Sequence, residues 1–170
     1  LEGWFDFRDV YDHIAKTLPE TGQFVEVGSW KGKSAIYLRD RLDDLRKTCA
    51  KTVCVDTFKG DGDTGKIDVF DDFIRNTEGR NIECHPLPST LAARSYADAS
   101  LDGIFIDAAH DYESVKADIT AWRDKVKPGG FFGDENPNAK LQVVEPGAIE
   151  LGRGLGAHRA QATPEHRLGV

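Results

Sequence analysis

Apolar positions along the chain follow two spacings, and the alternation between them predicts the architecture. Phe7, Val10, Ile14 and Leu18 recur at helical spacing until Pro19 stops the pattern. Phe24 to Val27 is a short continuous run of strand type. Ala35, Leu38, Leu42 and Leu45 then mark one face of a long helix. Thr52 to Val55 predicts a second strand and Ile82 to Cys84 a third, with a short helix between them over Val69 to Arg75. Pro86 and Pro88 place a loop before a helix predicted over Ser89 to Tyr96. Leu101 to Ile106 is the clearest strand. Val115, Ile119, Trp122 and Val126 define an amphipathic helix capped near Asp111. Lys127-Pro128-Gly129-Gly130 is expected to end that helix and turn into a fifth strand at Phe131-Phe132.

Strands alternating with helices of this length predict an α/β fold, a doubly wound, mostly parallel sheet with helices on both faces. Right-handed crossovers put every strand's C-terminal end on one edge. Gly28, Asp56, Ser89, Asp107 and Asp134 would then share that rim, where such folds bind small molecules. Beyond Asp134 the pattern weakens. Val143 to Leu151 is expected as a helix, and Ala157 to Ala162 with the last residues as two short strands. The 170 residues suit a single domain. Residues 1–20 would supply an N-terminal helix, 22–136 a ligand-binding core and 137–170 a C-terminal segment.

Composition narrows the partners. A net charge of −7 with no run of Lys or Arg argues against a nucleic acid, whose phosphates need a basic footprint. Cys49, Cys54 and Cys84 are odd in number and lack the CxxC spacing, so they read as ordinary thiols, Cys54 and Cys84 buried in strands. No apolar run approaches the ~18 residues of a membrane span, and no leader pattern is read at Leu1. The expectation is a cytoplasmic protein with no membrane contact.

The chemistry concentrates in Gln23 to Ser34, where a strand runs into a glycine-containing turn and then a helix. Such a turn offers backbone N–H groups and a helix N-terminus to a polar ligand. Gly32-Lys33-Ser34 invites comparison with a phosphate loop. However, only three residues separate Gly28 from Gly32, and the position of the first glycine is held by Val27. The dinucleotide fingerprint fails as well, with Trp30 in place of glycine. A side chain at Gly28 is expected to collide with the ligand or to force a poor backbone angle. Asp56, ending the second strand, is suited to accept from both hydroxyls of a ribose, or else simply opens a turn. Asp107 and His110 leave the fourth strand together. The His suits a general base, and Asp107 with Asp134 and Glu135 suits a hard cation such as Mg²⁺. A turn-capping Asp and a surface His would look the same in sequence. The loop Asp61-Gly62-Asp63 fails the calcium-loop spacing and reads as a mobile lid.

Four segments taken in order resemble class I S-adenosylmethionine-dependent methyltransferases, particularly small-molecule O-methyltransferase-like proteins with a Rossmann-like fold. They are Val25 to Ser34, Val55 to Asp61, Phe105 to Tyr112 and Val126 to Gly130, and the resemblance covers about residues 22–136. It implies that Glu26, Gly28, Ser29, Trp30 and Gly32 hold the methionine part of S-adenosylmethionine. By the same likeness, Asp56 and Thr57 lie at the ribose, Pro88 and Ser89 flank the adenine, and Asp107 also faces the cofactor. Asp107, Asp134 and Glu135 would bind Mg²⁺ where a metal is used, and His110 would be the base. The implied reaction is methyl transfer to an oxygen of a small-molecule acceptor. Gly133-Asp134-Glu135-Asn136 departs from the Gly-His-Asp-Tyr of many relatives. Two alternatives stand beside this reading: a P-loop-like nucleotide-binding NTPase, and a non-catalytic S-adenosylmethionine-binding module.

Overall fold

A computed structural model of the chain describes residues 3, 5–60, 67–109, 111–134 and 142–144. The helices are α1 (Arg8–Thr17), α2 (Lys33–Asp44), α3 (Phe70–Thr77), α4 (Ser89–Ala92) and α5 (Tyr112–Trp122). The strands are β1 (Gln23–Val27), β2 (Lys51–Val55), β3 (Ile82–His85), β4 (Leu101–Ile106), β5 (Val126–Asp134) and β6 (Gln142–Val143). They form one sheet in the order β3-β2-β1-β4-β5-β6. The first five are parallel, and β6 runs antiparallel along β5. This is the doubly wound sheet that the sequence pattern predicts.

Strand periodicity separates two cores. Val25, Val27, Val53, Val55, Ile104 and Ile106 face α4 and α5, where Ala92 and Trp122 cover them. Phe24, Phe105 and Phe131 face the other way and pack on Tyr11, Ile14 and Leu18 of the N-terminal helix region and Leu38 and Leu42 of α2. Because β1 alternates, Glu26 shares the side of Phe24 and points into this second core, where its relative exposure is 0%. Lys47 fixes the end of α1 by donating from Nζ to the carbonyls of Ala15, Lys16 and Leu18 at 2.9, 2.7 and 2.7 Å. A cation there complements the helix dipole.

Three expectations are corrected. Helix α5 stops at Trp122, and after a 3₁₀ turn at Arg123–Lys125 the fifth strand begins at Val126, before Pro128-Gly129-Gly130. That stretch reads as a helix stop because Pro lacks an N–H and Gly129 takes φ +82. In three dimensions it is an irregular strand start. Val126 pairs with Leu101, the register then shifts so that Phe131 pairs with Gly103, and Gly129 and Gly130 bond to Val144. The helix expected from Val143 is also replaced at its start, since Gln142–Val143 is a strand. The Ser89–Tyr96 helix divides into α4 and a 3₁₀ turn at Ala93–Ser95. The Asp61–Asp63 lid, His110, Glu135 and everything expected beyond residue 144 lie outside the described residues.

Candidate functional site

A cleft of about 750 Å³ opens at the C-terminal edge of the sheet. Gly28, Asp56, Ser89 and Asp107 line it, as the topology predicts, together with Ser29, Trp30, Thr57 and Pro88. Asp134 sits at the end of β5 beside Ile106 and is not part of the lining.

The loop after β1 is held from below and from the side. Gly28 takes φ +88, and its N–H bonds to the Val55 carbonyl at 2.9 Å. A Cβ built here would lie 1.8 Å from the Asp107 carbonyl oxygen. The first clash of a side chain is therefore corrected to one with the chain leaving β4, while the poor backbone angle expected of a side chain here is borne out by the φ of +88. Gly32 is corrected as well. At φ +84 it starts α2, and a Cβ would press on Phe73 and Thr77 at 3.1 Å, so it faces α3 and not the cleft.

Asp56 organises the rim. Its Oδ2 accepts the Trp30 N–H at 2.8 Å and its Oδ1 accepts the Phe58 N–H at 2.7 Å. Trp30 and Phe58 both occupy the left-handed region, at φ +46 and +58. That conformation costs on the order of 1–2 kcal/mol for a residue with a Cβ. A carboxylate accepting both N–H groups offsets this cost and locks the loops after β1 and β2 together. Each oxygen keeps acceptor capacity toward the cleft. Asp56→Asn should weaken both functions, because its amide nitrogen replaces one of the two accepting oxygens and cannot accept. The expected result is a roughly 10–100-fold loss of cofactor affinity by calorimetry. Unchanged affinity would show that Asp56 serves the loops alone.

Glu26 does not reach the cleft. Its Oε2 accepts from the Tyr11 hydroxyl at 2.6 Å and its Oε1 from Ser34 Oγ at 2.9 Å. Ser29 Oγ stands beside this carboxylate and the Cys54 thiol without a well-formed bond to either. Burial raises the Glu26 carboxyl above its ordinary value, opposed by these hydroxyls. Glu26 therefore supports the loop from beneath. A raised folded-state value means its contribution to stability is complete below the ordinary glutamate range and is lost as pH rises through the raised value. Urea unfolding of the wild type and Glu26→Gln between about pH 4 and about pH 8 checks this. The wild type should lose ground to the variant with rising pH, by at most about 1.4 kcal/mol per pH unit. A pH-independent difference would remove the shift.

Several lining residues carry no motif. Phe5, Asp6 and Phe7, which precede α1, roof one end, and Lys33 Nζ donates to the Gly3 carbonyl at 2.6 Å. Ser114, Ala117 and Asp118 approach from α5. For Asp118 a signal exists: it lies on the apolar side of its helix, four residues before Trp122. Asp111 caps that helix as expected, accepting the Ser114 N–H at 3.0 Å.

The charges of the lining decide between ligand classes. Asp6, Asp56, Asp107 and Asp118 face the cleft with Lys31 and Lys33. A polyphosphate would meet four carboxylates, with Lys33 engaged by Gly3 and Ser34 by Glu26. The NTPase alternative loses its phosphate-binding side chains. A ligand carrying a sulfonium and an ammonium suits this lining. Among the described residues no group of three His, Cys, Asp or Glu side chains is arranged to hold a metal.

Residues 25–133 match the family model described as a methyltransferase domain. The chain belongs to this family. Its members of this class, the class I methyltransferases, use S-adenosylmethionine, and the methyltransferase domain has their Rossmann-like fold. No curated protein matches the chain. Among solved structures, a Staphylococcus aureus protein described as a caffeoyl-CoA O-methyltransferase is similar at TM-score 0.57 and 15% identity, over 79% of this chain and 59% of that one. A Clostridium thermocellum protein described as an rRNA methylase reaches TM-score 0.56 at 10% identity, over 78% and 69%. A geranyl diphosphate methyltransferase solved with GPP and sinefungin reaches 0.54 at 10%, over 74% and 42%. At these identities the likeness is one of fold. The chain spans between 42% and 69% of the length of these three structures. Among the described residues no helix is long and apolar enough to cross a membrane.

Proposed function

We propose that the methyltransferase domain transfers a methyl group from S-adenosylmethionine to an oxygen of a small-molecule acceptor. The observation that carries this reading is the carboxylate-lined cleft at the strand ends, with Asp56 on its rim beside the Gly28 turn. Bound S-adenosylmethionine supplies an electrophilic methyl group on a sulfonium that leaves as a thioether. The protein's part is alignment, proton removal and exclusion of water. The Gly28–Trp30 turn would seat the methionine end, Asp56 and Thr57 the ribose, and Pro88 and Ser89 the base. Phe5 and Phe7 would roof the reacting end against solvent. Asp107 would face that end, with His110, three residues on in sequence, as the base that takes the acceptor's proton. Asp107 and Asp134, which leave neighbouring strands, and Glu135 are the residues to which Mg²⁺ would go.

A small acceptor is favoured over RNA by the net charge of −7 and the acidic lining. The test is turnover of S-adenosylmethionine against a panel of hydroxylated small molecules and a panel of RNA oligomers. Product with the small molecules supports the reading, and product with RNA alone overturns the acceptor class. Tight cofactor binding with no turnover on either panel would favour the non-catalytic module.

A further inference from the structure

Asp118 is a carboxylate where a helix of this kind normally presents an apolar residue. It lies on the inward face of α5 and is only 6% exposed, yet it lines the cleft beside Ser89. An ionised carboxylate accepts hydrogen bonds and cannot donate, and burying one is costly unless donors meet it. Its neighbour Ser89 is already oriented, because the Trp122 indole N–H donates to Ser89 Oγ at 2.8 Å. That bond uses one lone pair of the hydroxyl and leaves its single proton for the carboxylate beside it. Burial raises the Asp118 carboxyl from its ordinary value, and the Ser89 hydroxyl opposes this. One hydroxyl proton does not saturate a carboxylate that has about four acceptor positions.

We propose that Asp118 reads the exocyclic amino group of the cofactor's base, so that Trp122, Ser89 and Asp118 select adenine. This rests on the S-adenosylmethionine reading of the cleft. With the ribose at Asp56, the base falls between the Leu87–Ser89 loop and the Ala117–Asp118 turn of α5, all of which line the same cavity. The 6-amino group is adenine's only donor on its six-membered ring, and Asp118 is the acceptor-only side chain at that end. Hypoxanthine carries a carbonyl oxygen at the same position, which a carboxylate repels. A site built to accept a hydrogen bond rejects the analogue that lacks the donor far more strongly than an apolar pocket would.

The experiment is calorimetry with S-adenosylhomocysteine and S-inosylhomocysteine on the full chain. The wild type is expected to prefer the adenosyl ligand by roughly 10–100-fold. Asp118→Asn preserves shape, and its amide can turn to accept from an amino group or donate to a carbonyl. That variant should bring the two affinities within about threefold by weakening one and strengthening the other. Asp118→Ala should weaken the adenosyl ligand by loss of the acceptor and strengthen the inosyl one, less than Asp118→Asn does, by loss of the repulsion alone. A merely structural role would weaken both ligands equally in both variants, and that result overturns the proposal. Equal affinity of the wild type for both ligands overturns it with no variant needed. If the wild type binds neither ligand, the cofactor reading itself fails, an outcome distinct from the others.

Discussion

Gly28→Val is expected to abolish cofactor binding, with affinity reduced at least 100-fold, and to lower the melting temperature at the same time. Two independent penalties meet at this residue. Valine is a β-branched residue, and at φ +88 it would occupy a conformation that costs such side chains on the order of 1–3 kcal/mol. Its Cβ would also stand 1.8 Å from the Asp107 carbonyl oxygen and 2.8 Å from the Ala108 Cα. These are backbone atoms, so no side-chain rotation relieves the contact. Either the turn after β1 or the chain leaving β4 must move, and both line the cleft. Overpacking of this kind typically costs a further 1–3 kcal/mol. The sequence alone suggests loss of binding with the fold undisturbed. The structure predicts that both are lost together, because the glycine serves the closure of β1 against β4 before it serves any ligand. Calorimetry with S-adenosylmethionine and a thermal melt of the same sample check this. Normal affinity with an unchanged melting temperature would refute the packing argument.

What the sequence makes legible follows from burial. β1, β2 and β4 are central strands covered on both faces, so they read as short continuous apolar runs with polar residues at their ends. Those end residues, Gly28, Asp56 and Asp107, are the rim. β5 is harder to read because its first residues carry helix-stop chemistry, and only their pairing with Leu101 and Val144 makes them strand. β6 exists through its contact with β5 alone, which no local pattern announces. Phe5 and Phe7 reach the site because α1 docks on the sheet. Phe7 packs on Phe105 at a centroid distance of 5.4 Å, and Phe5 packs on Tyr11 at 5.0 Å. Glu26 and Gly32 belong to the motif but serve it from inside: one carries the loop on a buried carboxylate, the other clears room for α3. A motif marks the neighbourhood of a ligand, and only side-chain direction separates the residues that touch it from those that hold the others in place.

His110→Ala is expected to lower the turnover rate by roughly 10²–10⁴-fold while leaving cofactor affinity within about twofold of the wild type. A hydroxyl acceptor is a weak nucleophile until its proton is removed, and a histidine titrates near the pH at which this matters. Asp107 lines the cleft as it leaves β4, and its backbone N–H is fixed by the Val27 carbonyl at 2.8 Å. The segment that carries His110 therefore starts from a rigid point on the rim. Asp107→Asn should also reduce turnover, and the effect of EDTA sorts the reasons. If Asp107 and Asp134 hold Mg²⁺ with Glu135, the chelator should stop the wild-type reaction and added Mg²⁺ should restore it. Asp134→Asn should then raise the Mg²⁺ concentration needed for half-activity, although Asp134 lies outside the cleft lining. If the wild type is fully active in EDTA, the metal role is removed and His110 stands as the sole base. Full activity of His110→Ala in EDTA would remove both, leaving alignment of the acceptor on the cofactor as the domain's whole contribution.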